Sequence, residues 1–253
     1  MKVFLTTAIL LMGIFGYSKT IELNTKNAVI IRNEISDTSV SKAQLDLAKK
    51  VTERGTKGYT LYLVLDSPGG DISAGLNFIE FAKTIPNLET VTLFSASMAS
   101  AIVEQLPGKR NIIETGILMF HRAAGGVNGQ FESGELESRL GFYKKLVREM
   151  EQVNADRMSL SLDTYKSKVK DELWILGKDA VQSKAADEIV NISCSSDLLN
   201  TSAAEQFTVM GMFTIGVKFN GCPLIKAGEV LQPEMRAQYK AYRETKWRIG
   251  SSK

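Results

Sequence analysis

Short apolar runs and longer mixed stretches follow one another along most of this 253-residue chain. Residues 28–32 (AVIIR), 60–65 (TLYLVL), 90–94 (TVTLF) and 117–120 (ILMF) are runs of β-forming residues, which predict buried strands. Between them lie helical periods. Val40, Ala43, Leu47 and Val51 recur every three or four residues, with a start signal at Thr38-Ser39 and Gly55 past the end. Residues 72–84 predict a second helix, closed off by Pro86, and the small-residue run from Ser97 predicts a third. Strands alternating with helices imply βαβ units, a mostly parallel sheet and right-handed crossovers.

Residues 132–158 predict the longest helix. Leu136, Leu140, Tyr143, Val147 and Met150 form one apolar stripe on it, and charges fill the rest. At 1.5 Å per residue it spans about 40 Å, enough to project beyond a compact domain. After Ile192 the pattern changes. Residues 206–226 are rich in Phe, Val, Ile and Gly, with Asn220-Gly221 as a hairpin-type turn, and 232–248 are polar, basic and helix-prone. The expected organisation is therefore a first segment 1–18, a main domain 19–192 and a C-terminal extension 193–253.

The first segment has its own character. Lys2 precedes an apolar run to Phe15, and small Gly16 and Ser18 precede polar Lys19 and Thr20. That is the layout of a cleaved secretory signal peptide. About 13 apolar residues fall short of the ~20 needed to span a bilayer, which argues against an uncleaved anchor. The expected location is outside the cytoplasm, periplasmic or extracellular. An oxidising compartment would let the two cysteines, Cys194 and Cys222, bond. A net charge of +3 is too small to point to nucleic acid.

Three places carry candidate chemistry. The single histidine, His121, closes the 117–120 strand and opens a loop containing Gly125, Gly126 and Gly129. Histidine suits proton transfer near neutral pH, and parallel sheets gather functional groups at the carboxyl ends of their strands. Ser97 stands at a strand-to-helix elbow, where its hydroxyl is exposed and the helix dipole favours negative charge. It needs a base within reach to act as a nucleophile. Ser67-Pro68-Gly69-Gly70 is a turn whose backbone amides, clear of side chains, suit a developing oxyanion.

Taken in order, residues 67–75 (SPGGDISAG), Ala96-Ser97-Met98-Ala99, and Met119-Phe120-His121 with the 125–130 loop (GGVNGQ) resemble the proteolytic subunit of the Clp protease. Trp174, Asp179-Ala180 and Ala186-Asp187-Glu188-Ile189 are similar to that family's closing segment. The resemblance covers about residues 28–190. It implies an α/β fold of the ClpP/crotonase type, with a projecting helix, to which this chain adds a hairpin and helix.

The resemblance further implies a serine peptidase that needs no cofactor or metal. Ser97 would be its nucleophile, His121 its base, and the Gly70 and Met98 amides its oxyanion hole. The family's third member is an aspartate. Glu172 stands in that place here, with Asp171 just before it, and both remain candidates. Homo-oligomeric rings and peptide or unfolded-protein substrates also follow. Export would separate the chain from the ATP-driven unfoldase that serves typical members. Two alternatives carry different expectations: a lysine-based hydrolase of signal-peptide-peptidase type, and a non-enzymatic scaffold on the same fold.

Overall fold

The structure is a computed structural model that describes residues 18–123, 132, 134–209, 213–226, 228–232 and 235–247. The expected signal peptide lies outside these residues except for Ser18, and so does the 125–130 loop.

The expected alternation is present and begins earlier than the sequence suggests. Strand β1 (Lys19–Leu23) precedes β2 (Ala28–Arg32), helix α1 (Asp37–Arg54) and strand β3 (Leu61–Ser67). Helix α2 (Ile72–Ala82), strand β4 (Leu88–Ala96), helix α3 (Met98–Gln105) and strand β5 (Arg110–Phe120) complete the first half. Then come the long helix α4 (Glu135–Arg157), α5 (Leu162–Lys168), β6 (Leu173–Leu176), the single turn α6 (Gly177–Ala180) and β7 (Glu188–Cys194).

The main sheet runs β1-β7-β5-β4-β3-β2, and β6 pairs β5. Every pairing in it is parallel except β5 with β6. Helix α1 starts one residue before the Thr38-Ser39 signal, because Ser36 caps it in a reciprocal box with Ser39.

Strand alternation sorts the core onto two faces. Leu61, Leu63 and Leu65 of β3 join Phe78, Ile102 and Leu106 under the helices. Val64, with Tyr62 packed alongside, faces the other way toward Ile21, Leu23 and Val190. Side chains alternate with a period of two, so a one-residue slip would exchange these faces and register is strongly specified.

Beyond β7 lie the short helix α7 (Ser196–Leu199), strands β8 (Ser202–Val209), β9 (Phe213–Asn220) and β10 (Gly228–Val230), and helix α8 (Arg236–Trp247). The hairpin and terminal helix are as expected. β8 and β9 pair from Ser202↔Asn220 to Val209↔Phe213, and Asn220-Gly221 ends β9 and opens its connection to β10, which pairs β9 antiparallel from Gly228↔Phe219. Gly221 is needed there for space: a Cβ would lie 2.0 Å from Thr201 Oγ1 and 2.5 Å from the Leu198 carbonyl oxygen. β7 runs continuously through residues 192 and 193, where the sequence placed a domain boundary.

Cys194, the last residue of β7, is disulfide-bonded to Cys222, with Cα atoms 5.8 Å apart. Arg32, at the end of β2, donates to the carbonyls of Asn220 (2.8 Å) and Cys222 (2.9 Å). Its guanidinium also lies 5.2 Å from the centre of the Phe219 ring. Lys226 pairs with Asp66 at the end of β3, and Glu205 accepts from Asn33. The extension is thus docked on the carboxyl ends of β2 and β3, beside the turn that carries Gly70.

Candidate active site

Three strand ends build the site. β4 and β5 are paired in parallel up to Ala96↔Met119, and the next amide, Ser97 N, donates to Met119 O at 2.9 Å. Ser97 therefore leaves β4 just where β5 reaches Phe120 and His121. Its backbone sits at φ 55°, ψ −121°, a region L-residues avoid. Such a conformation costs on the order of 1–3 kcal/mol and persists only where its surroundings enforce it.

The enforcement is visible at Gly69. A Cβ on Gly69 would fall 2.5 Å from Ala96 O, 2.7 Å from Ser97 Cβ and 2.8 Å from Met98 N. Only glycine lets the 67–70 turn press against the serine elbow this closely. Gly75 performs the same service one helix further on, where a Cβ would meet the Met98 side chain at 2.4 Å.

Gly70 and Met98, the expected oxyanion donors, both line the same cleft as Ser97. Gly70 forms an isolated parallel bridge with Ile35, using the Gly69 carbonyl and the Asp71 amide, which leaves the Gly70 amide outside the pairing. Met98 is the first residue of α3, where a backbone N–H has no acceptor within its own helix. Ser67 braces the turn: its hydroxyl donates to Asn33 O and accepts from Gly69 N.

Ser97, His121 and Gly70 line one solvent-open cleft of about 580 Å³. Ile72, Met98, Ala101, Phe120, Val147 and Met150 form its apolar wall. Glu151, Asn154 and Tyr165 line it too, and sequence reasoning missed all three. A signal was present, since Glu151 and Asn154 continue the stripe of Val147 and Met150 at helical spacing on α4. Two polar residues at the end of an apolar stripe read as its solvent edge. Burial pushes the Tyr165 hydroxyl up to about 12, so it stays protonated.

The acidic candidates are less directly placed. β6 pairs β5 antiparallel as far as Phe120↔Leu173, and Glu172 and His121 are the residues next to that last pair, outside the ladder. The Glu172 backbone is left-handed at φ 71°, and its exposed carboxylate accepts from Trp174 Nε1 at 2.9 Å. Asp171 is exposed, and neither acid lines the cleft.

Beneath α3 a buried ion network stiffens the floor. Arg110 stands between Glu104, which is fully buried, and Asp187, contacted at 2.6 Å. Burial pushes the Glu104 carboxyl up to about 8, against the pull of Arg110. Burial also works to raise Asp187, but hydrogen bonds from Arg110 outweigh it and hold that carboxyl below its usual range. Among the described residues no group of His, Cys, Asp and Glu is arranged to hold a metal ion.

The geometry agrees with what comparison with known proteins finds. The family model for the Clp protease matches residues 16–193, well over half of the chain. The chain belongs to the Clp protease family. It is 24% identical over 173 residues to ATP-dependent Clp protease proteolytic subunit 1 of Streptomyces avermitilis, covering 67% of this chain and 77% of that protein. It is 27% identical over 165 residues to the proteolytic subunit of Bacteroides fragilis, covering 64% and 78%. The Clp protease match ends at residue 193, so the disulfide-bonded hairpin and α8 lie almost wholly beyond it.

Proposed function

We propose that this Clp protease family member is a serine peptidase in which Ser97 attacks and His121 carries the proton. One observation supports this above the rest. A serine in a strained backbone conformation shares a cleft with the only histidine and with the amides of Gly70 and Met98. Ser97 Oγ attacks the peptide carbonyl carbon while His121 takes its proton. The Gly70 and Met98 amides stabilise the resulting oxyanion. His121 then protonates the leaving amine as the C–N bond breaks, and water hydrolyses the acyl-enzyme by the reverse proton route. Glu172, which follows directly on the last β5–β6 pair beside His121, is the proposed orienting acid.

The protein acts outside the cytoplasm in this reading. A cut after Ser18 leaves β1 intact, because β1 begins at Lys19 and pairs with β7 from that residue. The disulfide favours the same location. Association into rings is supported by the outer part of α4, where Leu136, Leu140 and Phe142 are exposed, Phe142 by 69%. The test is hydrolysis of unstructured peptides by the mature protein beside Ser97→Ala. Loss of hydrolysis in the variant is expected, and equal rates would exclude the serine mechanism.

A further inference from the structure

The C-terminal extension reaches the active site through Asn33, the residue after β2. The Asn33 backbone is left-handed at φ 81°, a bend that asparagine accepts more readily than most side chains. Its amide donates to Asp66 O at 3.2 Å, and its carbonyl accepts from the Ser67 hydroxyl, which in turn accepts from Gly69 N at 3.2 Å. Two residues on, Ile35 N donates to Gly69 O at 2.8 Å and Ile35 O accepts from Asp71 N at 2.8 Å. Gly70 lies so close to Ile35 that a Cβ would fall 2.3 Å from its carbonyl oxygen. The strip 33–35 is therefore the surface against which the Gly70 amide is oriented.

The extension grips this strip and the strand beside it. Glu205 of β8 accepts from the Asn33 side-chain amide, and its own side chain is 17% exposed. Lys226, in the connection between β9 and β10, pairs with Asp66, whose side chain is 7% exposed. Both contacts are charge-assisted, and removing one partner from a carboxylate this buried is strongly unfavourable. Arg32, the residue before Asn33, donates to the Asn220 and Cys222 carbonyls, and the disulfide fixes Cys222 to the end of β7. Glu205 and Lys226 both lie beyond residues 16–193, the segment matched to the Clp protease family.

We propose that Glu205 and Lys226 are positioning residues for hydrolysis at Ser97, holding Asn33 and Asp66 so that the Gly70 amide is aimed at the oxyanion. Neither lines the cleft, so neither acts by touching the substrate. A displaced amide weakens the transition state and leaves ground-state binding of the peptide alone, so the loss falls on kcat and not on KM. Losing an oxyanion donor outright costs about 10²–10³-fold in kcat, which bounds the effect of displacing one. This assignment rests on the serine-peptidase reading above.

The test is steady-state hydrolysis of an unstructured fluorogenic peptide by the mature protein, beside Glu205→Ala, Glu205→Gln, Lys226→Met and Lys226→Arg. Each is also titrated with a peptide aldehyde, whose adduct with Ser97 places its oxygen in the oxyanion hole. Rates are taken per folded molecule, from the urea-unfolding curve of each variant. Glu205→Ala and Lys226→Met are expected to lower kcat by about tenfold or more, with KM within about twofold. The aldehyde should bind more weakly by the same factor as the loss in kcat/KM. Glu205→Gln can still accept from Asn33 and Lys226→Arg can still pair with Asp66, so each should recover most of the loss. Unchanged kcat in folded Glu205→Ala and Lys226→Met overturns the assignment and leaves the serine mechanism standing. A rise in KM at constant kcat does the same, as do Gln and Arg variants no better than Ala and Met. Absence of Ser97-dependent hydrolysis by the wild type overturns both.

Discussion

Ser97 and His121 acquire their meaning from backbone placement more than from their own contacts. Ser97 is held in a disfavoured conformation because the β4–β5 register pins its amide to Met119 and because Gly69 admits the turn against it. The acid is the least determined member at this scale. Glu172 adjoins the end of the β5–β6 ladder, as His121 does, yet its carboxylate accepts from Trp174 Nε1. Glu172→Gln should lower kcat by about 10²–10⁴-fold if it orients the imidazole, the range seen when a triad acid loses its charge. Asp171→Asn should stay within about twofold, as exposed acids away from a site usually do. Peptide hydrolysis by the two variants decides the assignment, and a larger loss for Asp171→Asn would reverse it.

At the scale of elements, α3 and the C-terminal hairpin each show how a local feature supports the site. Helix α3 begins directly after Ser97 and carries Glu104 into the core against Arg110. The folded state raises the Glu104 carboxyl from its ordinary 4.5 to about 8. A native state that holds a proton the unfolded chain has released loses stability as pH rises between those values. Glu104→Gln cannot titrate, so its stability relative to wild type should improve from pH 5 to pH 8. Urea unfolding at both pH values measures this, and a parallel pH dependence in both proteins would contradict it.

The hairpin is tied down by Cys194–Cys222, a closure over 28 residues that should contribute about 3–4 kcal/mol in the chain-entropy model. Paired Cys194→Ser and Cys222→Ser changes should lower the denaturation midpoint by a corresponding amount. Reducing agent should do the same to wild type and nothing to the variant. Lys226 and Arg32 carry that constraint to the ends of β3 and β2.

For the whole molecule, much was legible in the sequence and the omissions share a physical cause. The strands at 28–32, 60–65, 90–94 and 117–120 announced themselves by composition, since a parallel strand buried on both faces is continuously apolar. β1 (KTIEL) and β7 (EIVNISC) were not seen, because each alternates polar with apolar residues and gains its burial from its sheet neighbours, β1 from β7 and β7 from β1 and β5. Asn220-Gly221 was legible by its turn chemistry as the end of β9 before its antiparallel return in β10, whereas the close approach of Gly221 to Leu198 and Thr201 was not. Ser97, His121 and Gly70 were legible as motifs in order. The polar side of the cleft was hidden, since Glu151 and Asn154 look like surface residues until α4 is packed against α3 and α5.

The chain thus joins a Clp protease core to a disulfide-bonded extension docked on the ends of β2 and β3. The most direct measurement on its chemistry is labelling of the folded, mature protein with a fluorophosphonate probe, the adduct being located by mass spectrometry. One adduct on Ser97 is expected, with labelling slowed by at least about 100-fold in His121→Ala. No labelling of wild type, or labelling undiminished by loss of His121, would contradict a Ser97–His121 catalytic pair.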